Sequence, residues 1–176
     1  MVIMDKRTGP NIVIKPFSTE DYKASLRGSF LHRVMELWFR HGFSEGKLSG
    51  DIEHSAIEFY AQPDRQEAID DANLIFSRLI QQPVWREFLS MVEDADFVEA
   101  EKDILMQNAS LARIDLLLRN KDMFIVLDYK FAAEKESHIK QVGSYVSAIG
   151  DLNVNCRGML FYISKAFSKL VEIRGE

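Results

Sequence analysis

The sequence predicts an α/β (α+β) domain in which a mostly helical first half precedes a central mixed β-sheet flanked by helices. Three observations carry this. Apolar residues recur at helical spacing up to residue 93, and β-branched and leucine-rich runs take over from residue 94. Of the 176 residues, 47% are apolar, which suits one domain with a real core. The expected layout is a single domain over 1–176, with a loose segment at 1–18, helices within 19–93 and the sheet-bearing part at 94–176.

After Gly9, Pro10 and Pro16, a helix is expected over 19–41. Ser18 or Thr19 can cap it, Glu20 and Asp21 lie in its first turn, and Gly42 follows its end. Leu26, Phe30, Val34, Leu37 and Trp38 form the stripe it would bury. GFSEGKLSG (42–50) reads as a connector, and 51–61, 64–81 and 84–92 as helices punctuated by Pro63 and Pro83. Strands are expected at 96–106, 110–119 and 122–132, the last two joined by a tight hairpin at NKD (120–122). Residues 137–150 return to helical period, with Ile139, Val142, Val146 and Ile149 on one side. Strands at 156–164 and 168–174 complete the pattern.

Net charge is −5, unevenly spread: residues 101–176 carry eleven Lys/Arg against ten Asp/Glu, and residues 1–100 eleven against seventeen. A phosphate-facing surface is therefore expected in the second half. No run approaches the roughly 18 apolar residues of a membrane span, and MVIMDKRTGP lacks the apolar stretch of a signal peptide. The expectation is a cytoplasmic protein without a membrane partner. Cys156, alone, excludes an intramolecular disulfide and a four-cysteine zinc or iron–sulfur site within this chain. GFSEGKLS departs from a nucleotide-binding P-loop in its glycine spacing and in Leu48, where a magnesium-binding hydroxyl is needed.

FIVLDYKFA (124–132) places a carboxylate and an ammonium in a strand that otherwise reads as buried. Strand alternation puts Asp128 and Lys130 on one face and Tyr129 on the other. If the hairpin turns on Asn120 and Lys121, Arg113 faces Asp128, and Asp115 becomes a diagonal neighbour of Asp128 on the same face. Two carboxylates in apolar strands repel unless a cation lies between them, and Mg²⁺ suits such a pair. A lysine beside them can orient a metal-bound water or neutralise an anionic transition state. On geometry alone, a purely structural ion pair, Asp128 with Lys130 or with Arg113, weighs equally.

ARIDLLLRNKDMFIVLDYKFA (112–132), followed by KQVGSYVSAI (140–149), resembles the motif set of the PD-(D/E)XK nuclease superfamily. It is most similar to RecB/AddA-type nuclease domains at the C-terminal end of UvrD/Rep-like helicase–nuclease subunits. Their pattern is a G-x-x-D strand, a D-Y-K-T strand and a helix with Q-x-x-x-Y. RGSFLHRVMELW (27–38) resembles the R-G-x-x-x-H-x-x-x-E helix of that family, through Arg27, Gly28, His32 and Glu36. The resemblance implies a restriction-endonuclease-like core with an N-terminal helical insert. It also implies a metal-dependent DNA nuclease, an exonuclease in mode, working in recombinational DNA repair with a helicase domain or subunit. Its cofactor would be Mg²⁺, with Mn²⁺ as an alternative, and no iron–sulfur cluster.

The implied roles follow residue by residue. Asp115, Asp128, the main-chain carbonyl of Tyr129 and His32 would hold the metal, and Lys130 would be the catalytic lysine. Gln141 and Tyr145, four apart on one helix face, would touch DNA or support the site, as would Arg27. A glutamate before the hairpin corresponds to Glu101 or Glu99. Without the resemblance, His32 reads as a helix histidine buried against the sheet, and the glutamates as solvated strand charges. Ala112 stands in place of the usual glycine and Phe131 in place of the threonine, and neither removes a metal ligand. A catalytically silent nuclease fold that binds DNA or a helicase is the competing expectation. The chain is further expected to be a segment of a larger helicase–nuclease.

Overall fold

The computed structural model describes residues 18–106 and 108–173. The expected loose segment at 1–18 lies, except for Ser18, outside them. Helix α1 (Thr19–Arg40) begins at a capping box, in which Ser18 Oγ accepts from the Asp21 N–H and the Asp21 carboxylate faces the Ser18 N–H. It buries Phe30, Leu31, Val34, Met35 and Trp38. Leu26 and Leu37, expected on that stripe, are only half-buried.

Gly42 and Phe43 end α1 with positive φ, and α2 (Glu45–Phe59) starts within the expected connector. Its glycines obscure a stripe that continues through Leu48, Ile52 and Ala56 at four-residue spacing, all three buried. Burial of these residues, with Phe43 wedged against Trp38, Trp85 and Phe88, outweighs the helix penalty of about 1 kcal/mol per glycine. Helices α3 (Asp64–Ile80) and α4 (Pro83–Glu93, with Pro83 in the first turn) follow as predicted.

The sheet has order β1-β2-β3-β4-β5, formed by β1 (Phe97–Leu105), β2 (Leu111–Asn120), β3 (Met123–Lys130), β4 (Asn155–Tyr162) and β5 (Lys169–Ile173). Only β3 and β4 pair in parallel; helix α5 (Glu136–Gly150) crosses between them, so the sheet is mixed as expected. Helices α1–α4 cover one face and α5 the other. On the α5 side Gly158 is required: a Cβ there would run into Val142 Cγ1 and lie 3.1 Å from Val146 Cγ2. Ile139, expected in the buried stripe of α5, is exposed, and Tyr145 is buried instead.

The hairpin register differs from the expected one. Asn120 pairs with Met123, so the turn is Lys121 and Asp122. Lys121 takes φ 54° and its N–H donates to Asp96 Oδ2 at 2.7 Å, a contact from the start of β1 that fixes the turn. The shift is two residues, which preserves the face of each side chain but removes Arg113 from Asp128. Arg113 instead pairs with Asp103 across β1, at 3.1 Å.

Candidate active site

Strands β1 and β2 turn over together at one position. Val98, Ala100, Leu116 and Leu118 pack on the α1–α4 side, whereas Ile104, Ala112 and Ile114, of the same parity, pack on the α5 side. Cα pairing is interrupted there, at Glu101 and Asp115, and Glu101 takes φ 53°. A non-glycine residue costs about 1–2 kcal/mol in that conformation. The reversal releases Asp115 from the regular ladder and lets it reach both α1 and the backbone of β3. His32 Nδ1 of α1 lies 3.3 Å from Asp115 Oδ2, and the Tyr129 N–H of β3 donates to the same oxygen at 2.6 Å.

The β2–β3 ladder ends at Leu116 and Leu127. Asp115 and Asp128 are each the next residue beyond that last pair, so both carboxylates stand at the same end of the two strands. An open cleft of about 550 Å³ gathers the polar groups at this end of the sheet. From α1 come His32, Arg33 and Glu36; from β1 and β2, Glu101, Arg113 and Asp115. Asp128, Lys130 and, from α5, Gln141 complete the polar wall. Arg33, Arg113 and the wall position of Glu36 were not among the expected site residues. The spacing of Glu36 four residues after His32, on one helix face, is the signal that points to it.

Lys130 Nζ sits 2.5 Å from Asp128 Oδ2, yet off hydrogen-bonding alignment, and that buried oxygen has no other hydrogen-bond partner among the described residues. The ammonium donates instead to Gln141 Oε1 at 3.0 Å, and Gln141 Nε2 donates to Tyr145 Oη at 2.6 Å. Tyr145 is buried behind Gln141, outside the cleft wall. The Tyr129 ring turns to the other face, near Phe88 and Phe161, and its buried hydroxyl has no partner among the described residues. His32 is seated on that same aromatic group, 5.4 Å from the Phe131 ring.

Arg27 does not line the cleft: its Nε donates to Asp71 Oδ2 at 2.9 Å and its Nη1 to the Phe131 carbonyl at 3.3 Å. Glu99 is likewise turned away, paired with Lys102 at 2.9 Å, so of the two glutamates considered it is Glu101 that reaches the wall.

Four carboxylates face three permanent cations here, and the proton affinities reflect it. Burial, then the charge of Asp115, pushes Asp128 up to about 6 despite Lys130. Burial raises Glu101 too, aided by Asp115 and Glu36. For His32, burial favours the neutral ring, but hydrogen bonding to Asp115 and the charges of both aspartates more than offset it, so its pKa is raised.

Whether a divalent cation suits these residues follows from their chemistry. The donors are carboxylate oxygens and one imidazole, a set for a hard or borderline ion, and Asp128 presents an unsatisfied buried oxygen. The raised pKa values show that the cluster resists holding its full negative charge unaided. Among the described residues, however, no three His, Cys, Asp or Glu side chains converge at ligand spacing. The donor types fit; their side chains must rotate to close on an ion, with Lys130 leaving Asp128 Oδ2.

A family model for the PD-(D/E)XK nuclease superfamily matches residues 8–169. Chains of solved structures also match, 23 in all. One is the crystal structure of SSO0001, 15% identical with TM-score 0.32, the match covering 84% of this chain and 66% of that one, just under two thirds of its length. No curated protein matches. Among the described residues no helix is long and apolar enough to cross a membrane.

Proposed function

The chain belongs to the PD-(D/E)XK nuclease superfamily, its mixed five-stranded sheet and flanking helices form a restriction-endonuclease-like fold, and from this premise we propose that it is a Mg²⁺-dependent DNA nuclease. The observation that carries the reading is the meeting of His32, Asp115, Asp128 and Lys130 in one open cleft, although α1 and β3 are far apart in sequence. In this reading Asp115, Asp128, His32 and the Tyr129 carbonyl hold the ion. Once bound, Mg²⁺ or Mn²⁺ supplies an acidified water and charge stabilisation for the phosphorus centre.

The chain's own residues then have separable tasks. Asp115 is braced by the Tyr129 N–H, which fixes one carboxylate against the strand. Gln141, held by Tyr145, carries Lys130 by its ammonium. From there Lys130 can swing between Asp128 and a phosphate oxygen, orienting the attacking water or meeting the charge that builds on the phosphate. The finer reading is an exonuclease, a single nuclease domain of a cytoplasmic helicase–nuclease in recombinational repair. It is supported by the order of the motifs from Arg27 to Tyr145.

The test is titration calorimetry with Mg²⁺ and Mn²⁺ beside cleavage of linear DNA. We expect a binding site and cleavage in the wild type, and both lost in Asp115→Ala and Asp128→Ala. A silent nuclease-fold module would show neither heat nor cleavage in the wild type. Full cleavage by Asp128→Ala after rigorous purification sinks the proposal outright.

A further inference from the structure

A second cleft, of about 460 Å³, lies between the start of α4 and the loop that leaves β4. That loop departs beside the candidate catalytic strand: the Ile163 N–H donates to the Lys130 carbonyl at 2.8 Å, and Lys165 and Phe167 follow within four residues. The loop is held from three sides. Ser164 Oγ accepts from the Phe167 N–H at 3.1 Å and donates to its carbonyl at 2.5 Å. The Ser168 N–H donates to Gln82 Oε1 at 2.8 Å, and Arg78 donates to the Lys165 carbonyl at 2.8 Å. So many contacts fix the backbone, yet the Phe167 side chain is left 66% exposed. A rigid loop that presents an aromatic ring to water has the form of a stacking platform.

The charge around that ring is opposite in sign to that of the first cleft. Among the described residues no carboxylate lines the second cleft, and Arg78 has no acidic partner. Lys165 contacts Asp71, which also takes Arg27, leaving three cations against one carboxylate. Arg27 in turn grips the Phe131 carbonyl, next to Lys130. The basic cluster is therefore continuous with the catalytic end of the sheet.

We propose that this cleft binds single-stranded nucleic acid, one base stacking on Phe167 while Arg78 and Lys165 hold the adjoining phosphates, so that the strand runs toward Lys130. The proposal rests on the nuclease reading above and adds where the strand is gripped. Stacking and a basic groove together are the usual means of holding a strand without reading its sequence.

The experiment is equilibrium binding of a fluorescein-labelled oligothymidylate of about 12 nucleotides to the full chain in EDTA, followed by anisotropy over a salt series. Phe167→Ala should weaken binding by about 5- to 150-fold, and Arg78→Ala should lower the slope of log K against log salt by about 0.7. The melting curve of Phe167→Ala should match the wild type, since its ring is exposed, and Arg78→Ala should lower the melting temperature only by the loss of its bond to the Lys165 carbonyl. Wild-type affinity and slope in both variants overturn the proposal. So does an equal loss for a duplex of the same length, or binding of an acidic peptide in place of the strand. Hydrolysis of bis-p-nitrophenyl phosphate by the wild type reports the metal site separately. Without hydrolysis but with Phe167-dependent binding, the catalytic reading fails and this one stands; with hydrolysis but Phe167-independent binding, the reverse holds.

Discussion

The two faces of the sheet are built differently. The α1–α4 face is thick and aromatic: Trp38 stacks on Trp85 at 4.6 Å, and Phe88 lies 5.1 Å from Phe161. The α5 face is a single helix over a mostly aliphatic layer that includes Tyr145 and Tyr162, brought close to β4 by Gly158. One face can hold the fold by mass of apolar burial, while the other sets where Gln141, and through it Lys130, stands. The difference teaches that apolar burial is concentrated in one layer, whereas both layers send side chains to the site, His32 from α1 and Gln141 from α5. Substitutions in the two layers should therefore differ in how far they disturb stability and site.

The largest effect is expected where the layers meet. Lys130→Ala should lower cleavage of linear DNA with Mg²⁺ by about 10²- to 10⁴-fold while the far-UV spectrum of the folded protein persists. Undiminished turnover would remove Lys130 from the chemistry and the site from this end of the sheet. Next in size is the thick face. Trp38→Ala deletes a fully buried ring, with its Nε1–H bond to the Ser44 carbonyl, and should cost about 3–5 kcal/mol in urea unfolding. A cost below about 1 kcal/mol would show that this face is not what holds the fold.

The thin face gives the sharper contrast. Gly158→Ala must push Val142 and Val146 away, at a cost of about 1–3 kcal/mol from overpacking. Because α5 carries Gln141, the shift should also lower kcat in protein that remains folded. Equal kcat for Gly158→Ala and wild type would detach α5 from the site.

This division was only partly legible in the sequence. Local signals served well: the Ser18 cap, Gly42 after α1, the prolines at the starts of α3 and α4, and the alternation that puts Asp128 and Lys130 together. What failed was set at long range. The hairpin register depends on Asp96 capturing the Lys121 N–H, a contact that no hairpin propensity encodes. The start of α2 depends on Phe43 and Leu48 finding a core, against two glycines that argue for a loop. The joint reversal at Glu101 and Asp115 breaks the alternation on which strand reasoning rests, and it does so at the candidate site, where local rules are expected to yield. Asp128, His32 and Glu101 could be named from sequence, but their raised proton affinities come from burial and mutual charge.

Those affinities give the smallest effect and the most direct test of the metal site. Asp128 is held up at about 6 in the folded protein, against 3.8 for the ordinary carboxyl. Its protonated form is favoured by folding, so its contribution is fully present below the unfolded value and is lost as pH rises through about 6. His32 and Glu101, also raised, act in the same direction. The difference between Asp128→Asn and wild type isolates the one carboxylate. In EDTA, Asp128→Asn should be no more stable than wild type near pH 4, and more stable by about 2 kcal/mol at pH 7, the shift of about two pH units being offset in part by loss of the Lys130 contact. Saturating Mg²⁺ should reverse the order at pH 7, because an ion that binds the folded wild type stabilises it and finds a weaker ligand in the amide. A gap that ignores pH would mean Asp128 is not strained by its charge, and a gap that ignores Mg²⁺ would mean the ion is held elsewhere.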